Sequence, residues 1–206
     1  GRIVVTIVDD GQLPGDTRSE YERWMRERGF GFRYVRKREP GLWLSRVEAA
    51  AIAETDALLF LDDDVELPEG YLDELMRTYE RYPEAAGVGG VALGMRNGWL
   101  GTIRCRLSFQ QSWRKGKLSL SGQSGSMYNW HRAKRTFRTE FLHGCNMSFR
   151  TAAIRDIGPV PWLSGYSVGE DLLLSRVAMR HGPLYVNPAL TVAHHESPVS
   201  RDRMED

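Results

Sequence analysis

The sequence predicts an α/β domain built on a largely parallel sheet, and three observations carry that expectation. Short continuous apolar runs recur along the chain, too short for helices and bounded by polar residues, as strands buried on both faces require. Segments with helical spacing of apolar residues alternate with them. The runs IVVTIV at 3–8 and ALLFL at 57–61 both end in carboxylates, Asp9 and Asp10 after the first and Asp62, Asp63 and Asp64 after the second. In open α/β sheets the carboxyl ends of the strands are where ligands bind. Three clustered anions also repel one another unless a cation or hydrogen-bond donors offset them, so a metal is the first expectation.

Taken in order, the first strand is 3–8, β-branched throughout. Asp16 to Arg28 sets Tyr21, Trp24 and Met25 on one helical face, and Gly29 stops the helix. FRYV at 32–35 is a strand. Ser45 and Glu48 form a capping-box pattern ahead of the alanine-rich stretch that runs to Glu54 and into ALLFL. After Pro68, Leu72, Leu75, Met76 and Tyr79 recur at helical spacing as far as Arg81, and Ala86 to Leu93 resumes strand character. Order weakens from Arg96 to Thr139, where Gly and Ser cluster in SLSGQSGS. From Glu140 the pattern tightens into FLHGCNMSFR, a short helix near Ala152 to Ile157, and a second helix in GEDLLLSRVAMRHG, stopped by Gly182 and Pro183. LYVN and LTVA are the last strands, and the second delivers His194 and His195.

With 206 residues and no flexible linker or internal repeat, the chain reads as one domain, large enough to bury a core without disulfides. Cys105 and Cys145 make neither a disulfide framework nor a CxxC metal site, and a reducing cytosol fits them. No stretch approaches the roughly 18 apolar residues of a membrane span. The net charge of +1 hides an asymmetry: from Ala85 to Thr139 there is no Asp or Glu but ten Lys and Arg, leaving the other residues near −9. Such a block is a solvated loop or the footprint of an anionic partner. No nucleic-acid motif accompanies it, so nucleic acid is not the expected partner.

Each acid cluster also has an ordinary structural reading. Asp9 and Asp10 could form an Asx turn. Glu170 and Asp171, at a helix start, could serve the helix dipole. Asp62 to Asp64 exceed what a cap needs, because Val65 and then Leu67-Pro68 follow with no immediate helix. Strand alternation would send Asp62 and Asp64 to one side and Asp63 to the other.

VDDG at 8–11, FLDDDVELPEGYLDEL at 60–75, GCNMSFR at 144–150, GEDLLLSRV at 169–177 and TVAHHESP at 191–198, in that order, resemble the family-2 glycosyltransferases of the GT-A fold. The resemblance spans nearly the whole chain except the basic insertion. It implies a nucleotide-metal half at 1–94, an insertion at 95–139 and an acceptor-catalytic half at 140–206. It also implies transfer of a sugar, with inversion, from a nucleotide diphosphate sugar to an acceptor hydroxyl with Mg²⁺ or Mn²⁺. By this likeness Asp62 and Asp64 are the DxD motif, Asp64 the direct metal ligand and Asp62 nearer the ribose or the metal's waters. His194 is the third ligand, with His195 the less favoured alternative. Asp9, with Asp10 as second choice, reads the base, and Arg46 contacts the base or diphosphate, although Val47 replaces the family's usual Asn. Asp171 matches the base that deprotonates the acceptor, and Glu170 orients the acceptor. Gly144 allows close backbone approach to the donor sugar, while Asn146 and Arg150 serve the donor or the fold.

Family members begin with a strand and helix before the VDDG strand, so these residues are expected to be a fragment of a longer chain. The insertion suits an anionic or lipid-linked glycan acceptor, with peripheral contact at the inner face of the plasma membrane. Competing readings are a receiver-type phosphoacceptor module using Asp9, Asp10 and Asp62, a nucleotidyltransferase of the same fold, and a non-catalytic nucleotide-sugar-binding relative.

Overall fold

A computed structural model describes residues 2–9, 11, 13–95, 97–163, 165 and 168–195. The first strand, β1 (Val4–Asp9), leads through α1 (Gly15–Glu27) to β2 (Gly31–Arg36), its parallel partner. Next come α2 (Leu42–Ile52), β3 (Ala57–Phe60), the two-residue β4 (Val65–Glu66), α3 (Tyr71–Arg81) and β5 (Gly87–Leu93). The insertion contributes α4 (Trp99–Leu107), a 3₁₀ turn (Gly125–Arg132) and β6 (Phe137–Thr139). The chain then forms β7 (Met147–Arg150), α5 (Thr151–Ile154), α6 (Glu170–Ala178) and β8 (Leu184–His194).

The main sheet runs β3-β7-β5-β8-β4, with β6 also on β8, and β1-β2 form a separate pair. The expected largely parallel sheet is in fact mixed. β5 and β8 are parallel, but β7 is antiparallel to both β3 and β5, and β4 and β6 are antiparallel to β8. Strand-helix alternation does give β3, β5 and β8 one direction. β7 arrives after the long insertion, enters from the other end and wedges between β3 and β5, so adjacency in sequence is not adjacency in the sheet.

Two apolar cores flank the sheet, as layered α/β architecture requires. Trp43 and Ala50 of α2, Ile154 of α5 and Leu174 and Ala178 of α6 pack against Phe149, Leu184 and Val186 on one face. On the other, Tyr71, Leu75 and Tyr79 of α3 cover Val88, Leu190 and Val192. Between the two halves of β8 the register slips. Gly89 pairs with Val186 and Val91 with Thr191, so β5 advances two residues while β8 advances five. LYVN and LTVA are therefore one strand with a kink at Asn187 to Leu190, where Pro188 lacks a ladder donor and the Asn187 side chain accepts from Ala189 N at 3.0 Å.

Other boundaries moved for local reasons. α2 starts at Leu42, after Gly41, so Ser45 is not its cap; its hydroxyl donates to the Gly41 carbonyl at 3.2 Å from inside the helix. The insertion is tied down. Trp130 is buried, stacked on Phe141 at 4.9 Å and edge-on to Phe137 at 5.9 Å, and Thr139 donates to the Gly116 carbonyl at 3.0 Å.

Gly90 sits opposite the β8 kink, where a Cβ would lie 1.8 Å from the Leu190 carbonyl oxygen and 2.6 Å from Nδ2 of Asn146. Gly101, within α4, has only the Asn97 side chain at 4.0 Å. Urea unfolding should show Gly90→Ala destabilised by about 3 kcal/mol or more, because backbone cannot yield as a side chain does. Gly101→Ala should gain roughly 0.4–1 kcal/mol through lost unfolded-state entropy. Equal effects at the two sites would contradict this packing.

Candidate active site

The acid triplet follows β3 as a turn rather than as strand. Val65 N donates to the Asp62 carbonyl at 3.3 Å, and this turn leaves Asp62 and Asp64 half-buried and Asp63 exposed, the division that strand alternation had suggested. The turn delivers the chain to β4, whose Val65 pairs with His194 at the end of β8. His195 N donates to the Asp64 carbonyl at 2.9 Å, locking the register. That pairing brings the His194 imidazole to Asp64, with Nε2 at 3.1 Å from Oδ1. Asp62, Asp64 and His194 then offer ligand atoms all within 4.8 Å of one another. His195 points elsewhere, 3.4 Å from Glu66.

Two carboxylates and one imidazole are a donor set that suits Mn²⁺ and, with its preference for oxygen, Mg²⁺. The structure fits a cation there: the Asp64 Oδ1 facing the histidine is buried and accepts no hydrogen bond. Burial, foremost, pushes the Asp62 carboxyl above its ordinary value; Arg46 opposes this and Asp64 adds to it. Among the described residues the cluster gathers His194 and not Asp9.

Arg46 occupies the ground between this cluster and the start of α6. It is only 3 % exposed and donates from Nη1 to Oε1 of Glu170, itself 7 % exposed, at 2.9 Å. Its other nitrogen lies where a side chain on Gly144 would sit, 3.0 Å from the ideal Cβ position. Gly144 is thus small because the guanidinium fills the space. Asp171, beside Glu170, accepts from the Leu172 amide at 2.8 Å. Burial, the largest influence, raises its carboxyl above the usual range; backbone amides of Leu172 and Gly144 and the charge of Arg46 pull the other way.

The remaining expected residues fall differently. Asp9 closes the loop after β1: Oδ1 accepts from Gly11 N at 2.8 Å, and Oδ2 accepts from Leu13 N at 2.9 Å and from the Tyr34 hydroxyl at 2.6 Å. Chiefly the Tyr34 bond holds its carboxyl below the ordinary value. Asp10 lies outside the described residues. Asn146 has no exposed surface. Its amide accepts from the Tyr71 hydroxyl and donates to the Leu190 carbonyl at 3.0 Å, so it ties α3 and β7 to the kink of β8. Arg150 lies over the Tyr79 ring at 4.5 Å.

His143 is the residue that sequence reasoning passed over. It stands across a two-residue turn from Asn146, with Nδ1 2.8 Å from the Cys145 sulfur and its charge acting on Asp62. The tight turn at Gly144 was the available signal, because it folds residues 143 and 145 onto each other.

A family model described as "Glycosyl transferase family 2" matches residues 1–158. No curated protein matches the chain in sequence. Among solved structures, GalNAc-T7 with UDP, GalNAc and Mn²⁺ superposes with a TM-score of 0.59 at 15 % identity over 92 % of this chain and 37 % of that one. The mannosyltransferase PcManGT from Pyrobaculum calidifontis, in complex with GDP-Man and Mn²⁺, gives 0.57 at 17 % over 95 % of this chain and 48 % of that. TarS from S. aureus gives 0.56 at 15 % over 92 % and 50 %. The chain therefore spans about half or less of the length of these neighbours, and the likeness shows the fold, GT-A.

The buried pair yields a stability prediction. Arg46→Met leaves the Glu170 carboxylate uncompensated in the interior, which should cost roughly 3–5 kcal/mol in urea unfolding. Adding Glu170→Leu should restore most of that loss, because the pair's own net contribution is small. A single variant as stable as the parent would mean that Arg46 is not charge-paired.

Proposed function

Since the chain belongs to glycosyltransferase family 2, we propose that it carries the catalytic centre of an inverting, metal-dependent transfer of a sugar from a nucleotide diphosphate sugar to an acceptor hydroxyl on a glycan or lipid-linked glycan. The observation that carries this reading is the Asp62-Asp64-His194 cluster, joined through Arg46 to Glu170 and Asp171.

Asp62, Asp64 and His194 would hold Mn²⁺ or Mg²⁺, which as a Lewis acid supplies charge for the diphosphate. Asp171 takes the proton of the acceptor hydroxyl. The acceptor oxygen forms its bond to the anomeric carbon from the opposite face, and the bond from that carbon to the diphosphate oxygen breaks with its electron pair leaving on the nucleotide. A carboxylate whose proton affinity is raised by burial is a better base for a hydroxyl than a solvated one. Glu170, fixed by Arg46, orients the acceptor, and the Gly144 turn brings backbone amide and guanidinium to the donor side. Asp9, anchored by Tyr34, lines the base-reading end.

Two outcomes follow. Asp64→Ala should abolish Mn²⁺-dependent binding of UDP and GDP in titration calorimetry while far-ultraviolet circular dichroism stays unchanged; undiminished metal-dependent binding would reject the assigned ligands. Asp171→Asn, in this chain or any longer protein that carries it, should lower turnover by on the order of 10² to 10⁴ with donor affinity kept. Because burial raises the Asp171 pKa and the ionised form is the base, the parent's rate should rise with pH through a value above the ordinary carboxylate range and then level off. Asp171→Asn should lose that rise, and an unchanged profile would return Asp171 to a helix-terminal role.

A further inference from the structure

The helix α4 carries its apolar residues on the outside. Trp99 is 67 % exposed, Leu100 65 % and Leu107 70 %, with Ile103 also exposed. At about 100° per residue these four fall within an arc of about 100°, bounded by Arg106 on one side and Arg104 on the other. Thr102, about 110° round the helix from the middle of that arc, is buried against the insertion, where its hydroxyl meets Asn129 at 3.4 Å. The helix is held at both ends: Arg132 of the 3₁₀ turn donates to the Asn97 carbonyl at 3.3 Å, and Gln110 N donates to the Cys105 carbonyl at 2.8 Å. The loop beyond it adds exposed Phe109 and Trp113, the latter beneath the Arg106 guanidinium at 4.9 Å, together with exposed Arg114 and Lys115.

We propose that this face of α4 and the following loop is a peripheral docking surface for an anionic lipid bilayer. An apolar stripe with tryptophans at its ends and arginines at its margins meets the two requirements of the interface: side chains to enter the acyl boundary and cations to meet the headgroups. Charge selects the occupant. A second copy docked with its two-fold axis on α4 would bring arginine to arginine, since the insertion holds no carboxylate between Ala85 and Thr139 to offset Arg104 and Arg106. An acidic protein would satisfy the cations but not a protruding stripe of Trp99, Leu100 and Leu107. α4, at nine residues, is too short to cross a bilayer, so its contact is one of lying on the surface. The inference stands on this face alone and does not require the transfer reaction.

The test is co-sedimentation of the whole chain with vesicles of phosphatidylcholine alone or mixed equally with phosphatidylglycerol, at low and high salt, with tryptophan emission recorded. Binding is expected only to the anionic vesicles, weakened by salt, with a blue shift. Arg104→Ser with Arg114→Ser should weaken it by about fivefold per charge, and Leu100→Ser with Leu107→Ser should remove both binding and blue shift. All four side chains are exposed, so the variants should retain the parent circular dichroism and unfolding midpoint. Three results would overturn the proposal: no binding to anionic vesicles at low salt, equal binding to both vesicles, or a dimer in sedimentation velocity that the leucine variants dissolve.

Discussion

The Arg46 to Glu170 contact is the constraint around which the site is organised. A guanidinium and a carboxylate, both almost wholly out of water, are tolerable only because each neutralises the other. One comes from α2 and the other from the first turn of α6, residues 124 positions apart in the chain. Their meeting fixes the distance between those helices, crowds the space a side chain at position 144 would take and brings Asp171 beside the Gly144 turn. The same guanidinium acts on Asp62 across the sheet end. The two carboxylate groupings are thus electrically connected through one buried cation.

Much of this was legible because strand ends announce themselves. Apolar runs that stop at acids gave β1 and β3 and the places of Asp9, Asp62 and Asp64, and the GED triplet gave the start of α6 within a residue. Long-range partnership was not legible. The partner of Arg46 is Glu170, and nothing local to α2 reveals what lies opposite it. For Asn146 the sequence left the donor and the fold both open, and the structure shows its amide taken up by the Tyr71 hydroxyl and the Leu190 carbonyl of the kinked strand. Sheet direction failed in the same manner, because β7 pairs according to where the insertion releases it.

The insertion shows how composition can mislead in both directions. Ten cations and scattered Gly and Ser predict a loose loop, and charge alone could not separate Trp130, which anchors the segment in the core, from Trp99 and Trp113, which stand outside it. The distinction arises from α4 having one buried side at Thr102 and from β6 joining the main sheet, both decided by tertiary packing.

The kink in β8 acts as a phase shifter. Before it, Leu184 and Val186 look into one core; after it, Leu190 and Val192 look into the other, although all four are even-numbered. The strand takes five steps where its neighbour takes two, and the odd surplus inverts its alternation. Which member of a histidine pair meets Asp64 is therefore decided well upstream, around Pro188. Losing or gaining one residue there would exchange inward for outward all the way to the strand's end, so which imidazole faces Asp64 depends on a count of residues several positions away from it.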